Sequence, residues 1–140
     1  MKKGLAAVEG KKIYLAIPYT EDREKSFQIA NEVAAQLISL KAIPFSPISH
    51  SHPLALTGLC TNDHDTWMNY DKHFVDWADE LFIVVPADMR GIDSVLASRG
   101  VMQEMYWASE ARKPISFIRY SVENKVMTPY GQDYIYDSIS

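Results

Sequence analysis

Cysteine is almost absent from this chain. Cys60 stands alone, so no internal disulfide can form, which fits a reducing compartment. Long hydrophobic runs are also missing: no stretch reaches the roughly 18 consecutive apolar residues of a membrane-crossing helix. Positive charge is in deficit. Lys and Arg number 14 against 18 Asp and Glu, a formal net charge of −4, which argues against nucleic-acid binding, since that wants a basic face. A small anion held by local N–H groups is not excluded by that balance. The apolar patch Leu5–Val8 is interrupted by Glu9 and Lys11-Lys12 too early for a signal peptide, so a cytoplasmic protein is expected. There are no repeats, low-complexity tracts or evident linkers. With 140 residues, 47% of them apolar, the chain suffices for one domain with a real core.

What is present is an alternation of strand and helix signals. Ile13-Tyr14-Leu15-Ala16-Ile17 is an apolar run stopped by Pro18, and its lack of clean alternation predicts a strand buried on both faces. Phe27, Ile29, Ala30, Val33, Ala34, Leu37 and Ile38 recur at helical spacing and predict a helix over about 22–40, capped by Thr20 or Asp22. Ile43-Pro44-Phe45 reads as a short or edge strand because of its proline. Residues 46–66 lack periodicity and read as a long loop, of the functional or mobile kind. Trp67, Tyr70, Phe74 and Trp77 predict a helix from 67 to 78 with Thr66 as its cap. A third strand at 81–85, a loop at 86–97, a helix at about 98–111 and a fourth strand at 115–118 follow. Arg112-Lys113 reads as a helix-terminal charge pair satisfying the dipole. Residues 119–140 form a tail whose Tyr120, Tyr130, Tyr134 and Tyr136 show little pattern.

This order predicts a single α/β domain over 1–140 with its core at about 12–118. The sheet is doubly wound and mostly parallel, with four or five strands and helices on both faces, flavodoxin- or Rossmann-like. Strands one and three are expected at the centre. In such sheets ligands bind at the carboxyl ends of the strands. The turn Pro18–Thr20, the loop 46–52 and the loop 86–97 all fall there.

Two acids draw the chemistry. Asp71 precedes the third strand on its helix and Glu104 follows it on the next, so both can flank one crevice. Each alone reads as an ordinary surface group. Together they suit glycosyl chemistry, where one carboxylate attacks the sugar carbon and the other handles a proton. A helix opening with Ser98-Arg99-Gly100 offers free N–H groups at the pocket mouth. His50 and His52 invite a metal, but no further Cys or His stands at a ligand spacing, so neither metal nor cofactor is expected. With Ser46 they are candidate substrate contacts from the long loop. Trp67, Trp77 and Trp107 read as packing anchors, one of which can stack on a base.

These residues resemble a known set. Ile13 to Tyr19, then Arg23, then Asp71 with Trp77-Ala78-Asp79, then Ser98-x-Gly100-x-x-x-Glu104 with Ala108 and Lys113-Pro114-Ile115, resemble the nucleoside 2-deoxyribosyltransferase superfamily, which includes the nucleoside 5′-monophosphate N-glycosidases. The Ser49-His50-Ser51-His52-Pro53 region resembles a bacterial and phage branch of it. The resemblance implies a nucleoside or nucleotide ligand, a homo-oligomer, and cleavage or transfer at the N-glycosidic bond through a covalent glycosyl-Glu104. It implies that Asp71 orients the sugar or carries a proton, and that Tyr19 or Tyr14 hydrogen-bonds the nucleophile or walls the sugar pocket. Ser98 stands where the transferases carry Asp, which points to a 5′-phosphate held by Ser98, Arg99 and Gly100. The glycine-rich turn of the nucleotide hydrolases is absent: Pro18 to Asp22 replaces it. Base exchange, a nucleotide-sensing protein without turnover, and an assembly domain are the competing expectations.

Overall fold

A computed structural model describes residues 8–19, 22–87 and 91–130. The expectations placed on residues 1–7, Thr20, Tyr134 and Tyr136 lie outside the described residues, as does part of the loop 86–97. Five strands form one sheet: β1 (Lys12–Ala16), β2 (Ile43–Phe45), β3 (Glu80–Pro86), β4 (Ile115–Ser121) and β5 (Val126–Pro129). Their order is β2-β1-β3-β4-β5. The first four run parallel and β5 is antiparallel to β4. The sheet is mostly parallel and β1 and β3 lie inside it, as the sequence predicts.

Side-chain alternation explains the two-sided burial. Ile13, Leu15, Phe82 and Val84 point to one face and pack on Ile29, Ala30, Val33 and Leu37 of α1 (Arg23–Ser39). Tyr14, Ala16, Leu81, Ile83 and Val85 point to the other. That face is covered by Val75 of α3 (His64–Trp77), Val95 of α4 (Ile92–Ala97), and Val101 and Ala108 of α5 (Arg99–Glu110). Every residue of β3 is buried, which is why Leu81 to Val85 is an unbroken apolar run.

The structure differs from the sequence expectations at several points. The stretch 46–66 is not a loop throughout: α2 (Pro47–Leu56) occupies its first half, with Ser46 as N-cap accepting from the Ser49 N–H and Pro47 in the first turn. Its buried residues are Pro47, Ile48 and His52, so no apolar stripe announces it. The next helix starts at His64, and the Asp63 carboxylate rather than Thr66 caps it, accepting the Thr66 N–H at 3.0 Å. The loop 86–97 contains the short α4, and the tail supplies β5. Finally, Lys113 serves a different helix from the one it follows. Its ammonium donates to the carbonyls of Val75, Asp76 and Ala78 at 2.8, 2.5 and 2.6 Å, closing the carboxyl end of α3. Lys113→Met is therefore expected to cost about 1–3 kcal/mol, measured as a lowered urea midpoint; an unchanged midpoint would show that water replaces the clamp.

Candidate active site

A cavity of about 390 Å³ opens at the carboxyl edge of β1 and β3. Tyr19 and Arg23 wall it from the β1–α1 junction, Ile48 and Ser51 from α2, and His64, Trp67, Met68 and Asp71 from α3. Ser98, Arg99, Gly100 and Glu104 come from α5 and its cap. This is the crevice where parallel sheets of this kind hold ligands.

Glu104 is 6% exposed and belongs to the buried stripe of α5, between Val101 and Ala108. A carboxylate is there because Tyr14, fully buried on β1, donates its hydroxyl to Glu104 Oε2. Asp71 lies on the buried face of α3 with Val75, and its Oδ1 is buried with no hydrogen-bond partner among the described residues. Burial dominates the electrostatics. It pushes the Glu104 carboxyl up to about 8, against the lowering effect of the Tyr14 hydrogen bond and with a further rise from the neighbouring Asp71 charge. Burial pushes Asp71 up to about 7. The Tyr14 phenol is held well above its usual range by burial, then by Glu104 and Asp71. Two buried carboxyls in one crevice thus hold protons at pH values where free carboxyls have none.

The mouth of the cavity is of opposite character. Ser98 caps α5 by accepting the Val101 N–H at 3.2 Å. Helix geometry leaves the N–H groups of Arg99 and Gly100 without intrahelical acceptors, and Arg99 and Arg23 add charge. A Cβ at Gly100 would meet Met68 Sδ at 3.8 Å, so the glycine leaves room at the mouth without being demanded by crowding.

The other candidates separate. Tyr19 walls the cavity, but its hydroxyl pairs with His52 Nδ1 at 2.6 Å while Tyr14 grips Glu104. Burial pushes the Tyr19 phenol up, opposed by the Arg23 guanidinium lying 5.2 Å over its ring. His52 is buried behind Tyr19. His50 stacks on Tyr70 at 5.5 Å and is not on the described cavity wall. Ser46 is occupied in capping α2. Of the three tryptophans only Trp67 is on that wall; Trp77 and Trp107 sit under Lys12 and Lys72. Sequence reasoning missed Met68, which carries no motif, and did not single out Ser51 or His64 as cavity contacts, although Ser51 lies within the Ser49–Pro53 stretch. The acids had a further signal: each interrupts an apolar helical stripe, Asp71 before Val75 and Glu104 between Val101 and Ala108. Among the described residues, no group of three His, Cys, Asp or Glu is arranged to hold a metal ion, and no helix is long and apolar enough to cross a membrane.

The fold, a mostly parallel five-stranded sheet, is similar to that of solved 2-deoxyribosyltransferases. The 2-deoxyribosyltransferase from Leishmania mexicana matches with a TM-score of 0.53 and 16% identity, over 79% of this chain and 64% of that one. The 2-deoxyribosyltransferase from the psychrotolerant bacterium Bacillus psychrosaccharolyticus matches with a TM-score of 0.51 and 18% identity, over 79% of this chain and 72% of that one. At these identities the likeness is one of fold, and the chain spans just under two thirds of the Leishmania enzyme. The chain itself belongs to the family described as Domain of unknown function (DUF1937), whose profile matches residues 11–120. No curated protein matches it.

Proposed function

We propose that the protein cleaves or transfers the N-glycosidic bond of a nucleoside or nucleoside 5′-monophosphate. The observation that carries this reading is the pairing of Glu104 and Asp71 in one buried crevice, with Tyr14 holding the first. Glu104, ionised, attacks the anomeric carbon; the bond to the base breaks, and Asp71 gives its proton to the departing nitrogen. A second base or water then attacks the anomeric carbon, gives its proton back to the Asp71 carboxylate, and the glycosyl–Glu104 bond breaks to release the ionised Glu104. The 2-deoxyribosyltransferase activity named for both structural matches supports the base-exchange form. Arg23, Arg99 and the N–H groups that open α5 favour a 5′-phosphate, which they meet with charge-assisted hydrogen bonds. A binding protein without turnover is the second reading. What favours it is that burial holds Glu104 protonated at neutral pH, and a neutral carboxyl does not attack.

Chromatography of a panel of nucleosides and 5′-monophosphates separates these readings. Release of base with water alone marks a hydrolase, and release only in the presence of a second free base marks a transferase. No release from any member, with binding retained, leaves the sensing protein. Arg99→Ala is expected to weaken a 5′-monophosphate about tenfold and to leave the parent nucleoside nearly unchanged. Equal loss for both in calorimetry would remove the phosphate from that mouth.

A further inference from the structure

Behind the cavity wall lies a chain of three polar side chains that the proposed chemistry does not use. His52 is 4% exposed, and its ring stacks on Phe27 at a centroid distance of 4.4 Å. Its Nε2 lies 2.8 Å from Glu24 Oε2 and its Nδ1 lies 2.6 Å from the Tyr19 hydroxyl. A core histidine with both ring nitrogens satisfied is usually structural. Here, however, one partner is a residue of the cavity wall, and for the neutral ring the direction of both hydrogen bonds follows from the chemistry of the carboxylate.

A carboxylate only accepts, so in the neutral ring Nε2 carries the proton it shares with Glu24. Nδ1 is then an acceptor, and the Tyr19 hydroxyl must donate to it. The phenol has one O–H. With that committed to His52, the Tyr19 oxygen has only lone pairs left to offer. We infer that Glu24 and His52 act as positioning residues that turn Tyr19 into a hydrogen-bond acceptor on the cavity wall, selecting a ligand with a donor there, such as a sugar hydroxyl or an exocyclic amino group. Tyr14 has the opposite polarity, since its O–H donates to Glu104. The groups that face Tyr19 and His52 are Glu24 and the Arg23 guanidinium over the Tyr19 ring. This inference rests on the nucleoside reading for the kind of ligand, and on the geometry alone for the direction of the bonds.

Two measurements test it separately. The ring ¹⁵N spectrum of labelled protein at pH 8 is expected to show His52 protonated at Nε2 and bare at Nδ1; the opposite tautomer overturns the inference. Calorimetry with thymidine, 2′-deoxyadenosine and their 5′-monophosphates then compares variants. His52→Phe keeps the stack on Phe27 and removes both hydrogen bonds. It is expected to weaken binding about tenfold, with Tyr19→Phe equivalent and the double variant no weaker than either. His52→Asn, which can set an amide oxygen where Nδ1 lay, is expected to recover most of the loss. Wild-type affinity in His52→Phe, or additive losses in the double variant, overturns the positioning role. If the wild type binds none of the four, the nucleoside reading fails, and the ring spectrum alone decides the hydrogen-bond direction. Thermal melts confirm that the variants are folded.

Discussion

Glu104→Gln is expected to lower base release by at least about 10³-fold, since the amide cannot form the glycosyl ester. The size and shape of the side chain are kept. The Tyr14 hydroxyl can still donate to the amide oxygen, so the geometry that holds position 104 survives. The loss should fall on kcat, with ligand affinity changed by no more than a few-fold. Single-turnover chromatography with the best substrate of the panel is the measurement. A variant keeping a tenth of the wild-type rate would remove Glu104 from the attacking role and shift attention to Asp71.

The same substitution is expected to stabilise the protein in alkali. In the unfolded chain a Glu titrates near about 4.3 and an Asp near about 3.9. In the folded chain Glu104 titrates at about 8 and Asp71 at about 7. Between these limits the native state holds protons that the unfolded chain has released. Their contribution to stability is therefore complete below about pH 4 and is lost as the pH rises through 7 and 8. By pH 9 the pair is therefore expected to have cost the wild type a large part of the stability of an ordinary domain. Urea midpoints at pH 5 and pH 9 should fall steeply in the wild type and much less in Glu104→Gln/Asp71→Asn. Parallel falls in both proteins would mean that water reaches the two acids. Activity and stability then pull in opposite directions at one residue, as they do where a site is kept at the expense of the core.

How far the sequence could be read followed from which side chains faced inward. β1, α1, β3 and α5 were legible because Ile13 to Ile17, Ile29 to Leu37, Leu81 to Val85 and Val101 to Ala108 bury apolar atoms at the right period. Ser98 was legible as a cap and Glu104 as the acid beyond it. α2 was hidden because one of its inward positions is His52, and because Pro47 and Pro53 read as breakers, although the first turn of a helix accepts proline. β5 pairs only Val126 to Pro129 with β4, too few residues to show alternation. The separate duties of Tyr14 and Tyr19 were out of reach. Their partners, Glu104 and His52, stand 90 and 33 residues away, and only the fold brings each pair together.

The Lys113 clamp has a mechanical side. It leaves the end of the helix that carries Glu104 and grips the end of the helix that carries Asp71, three carbonyls at once. The helices that carry the two acids are thus riveted together at their carboxyl ends by a lysine that is not on the cavity wall.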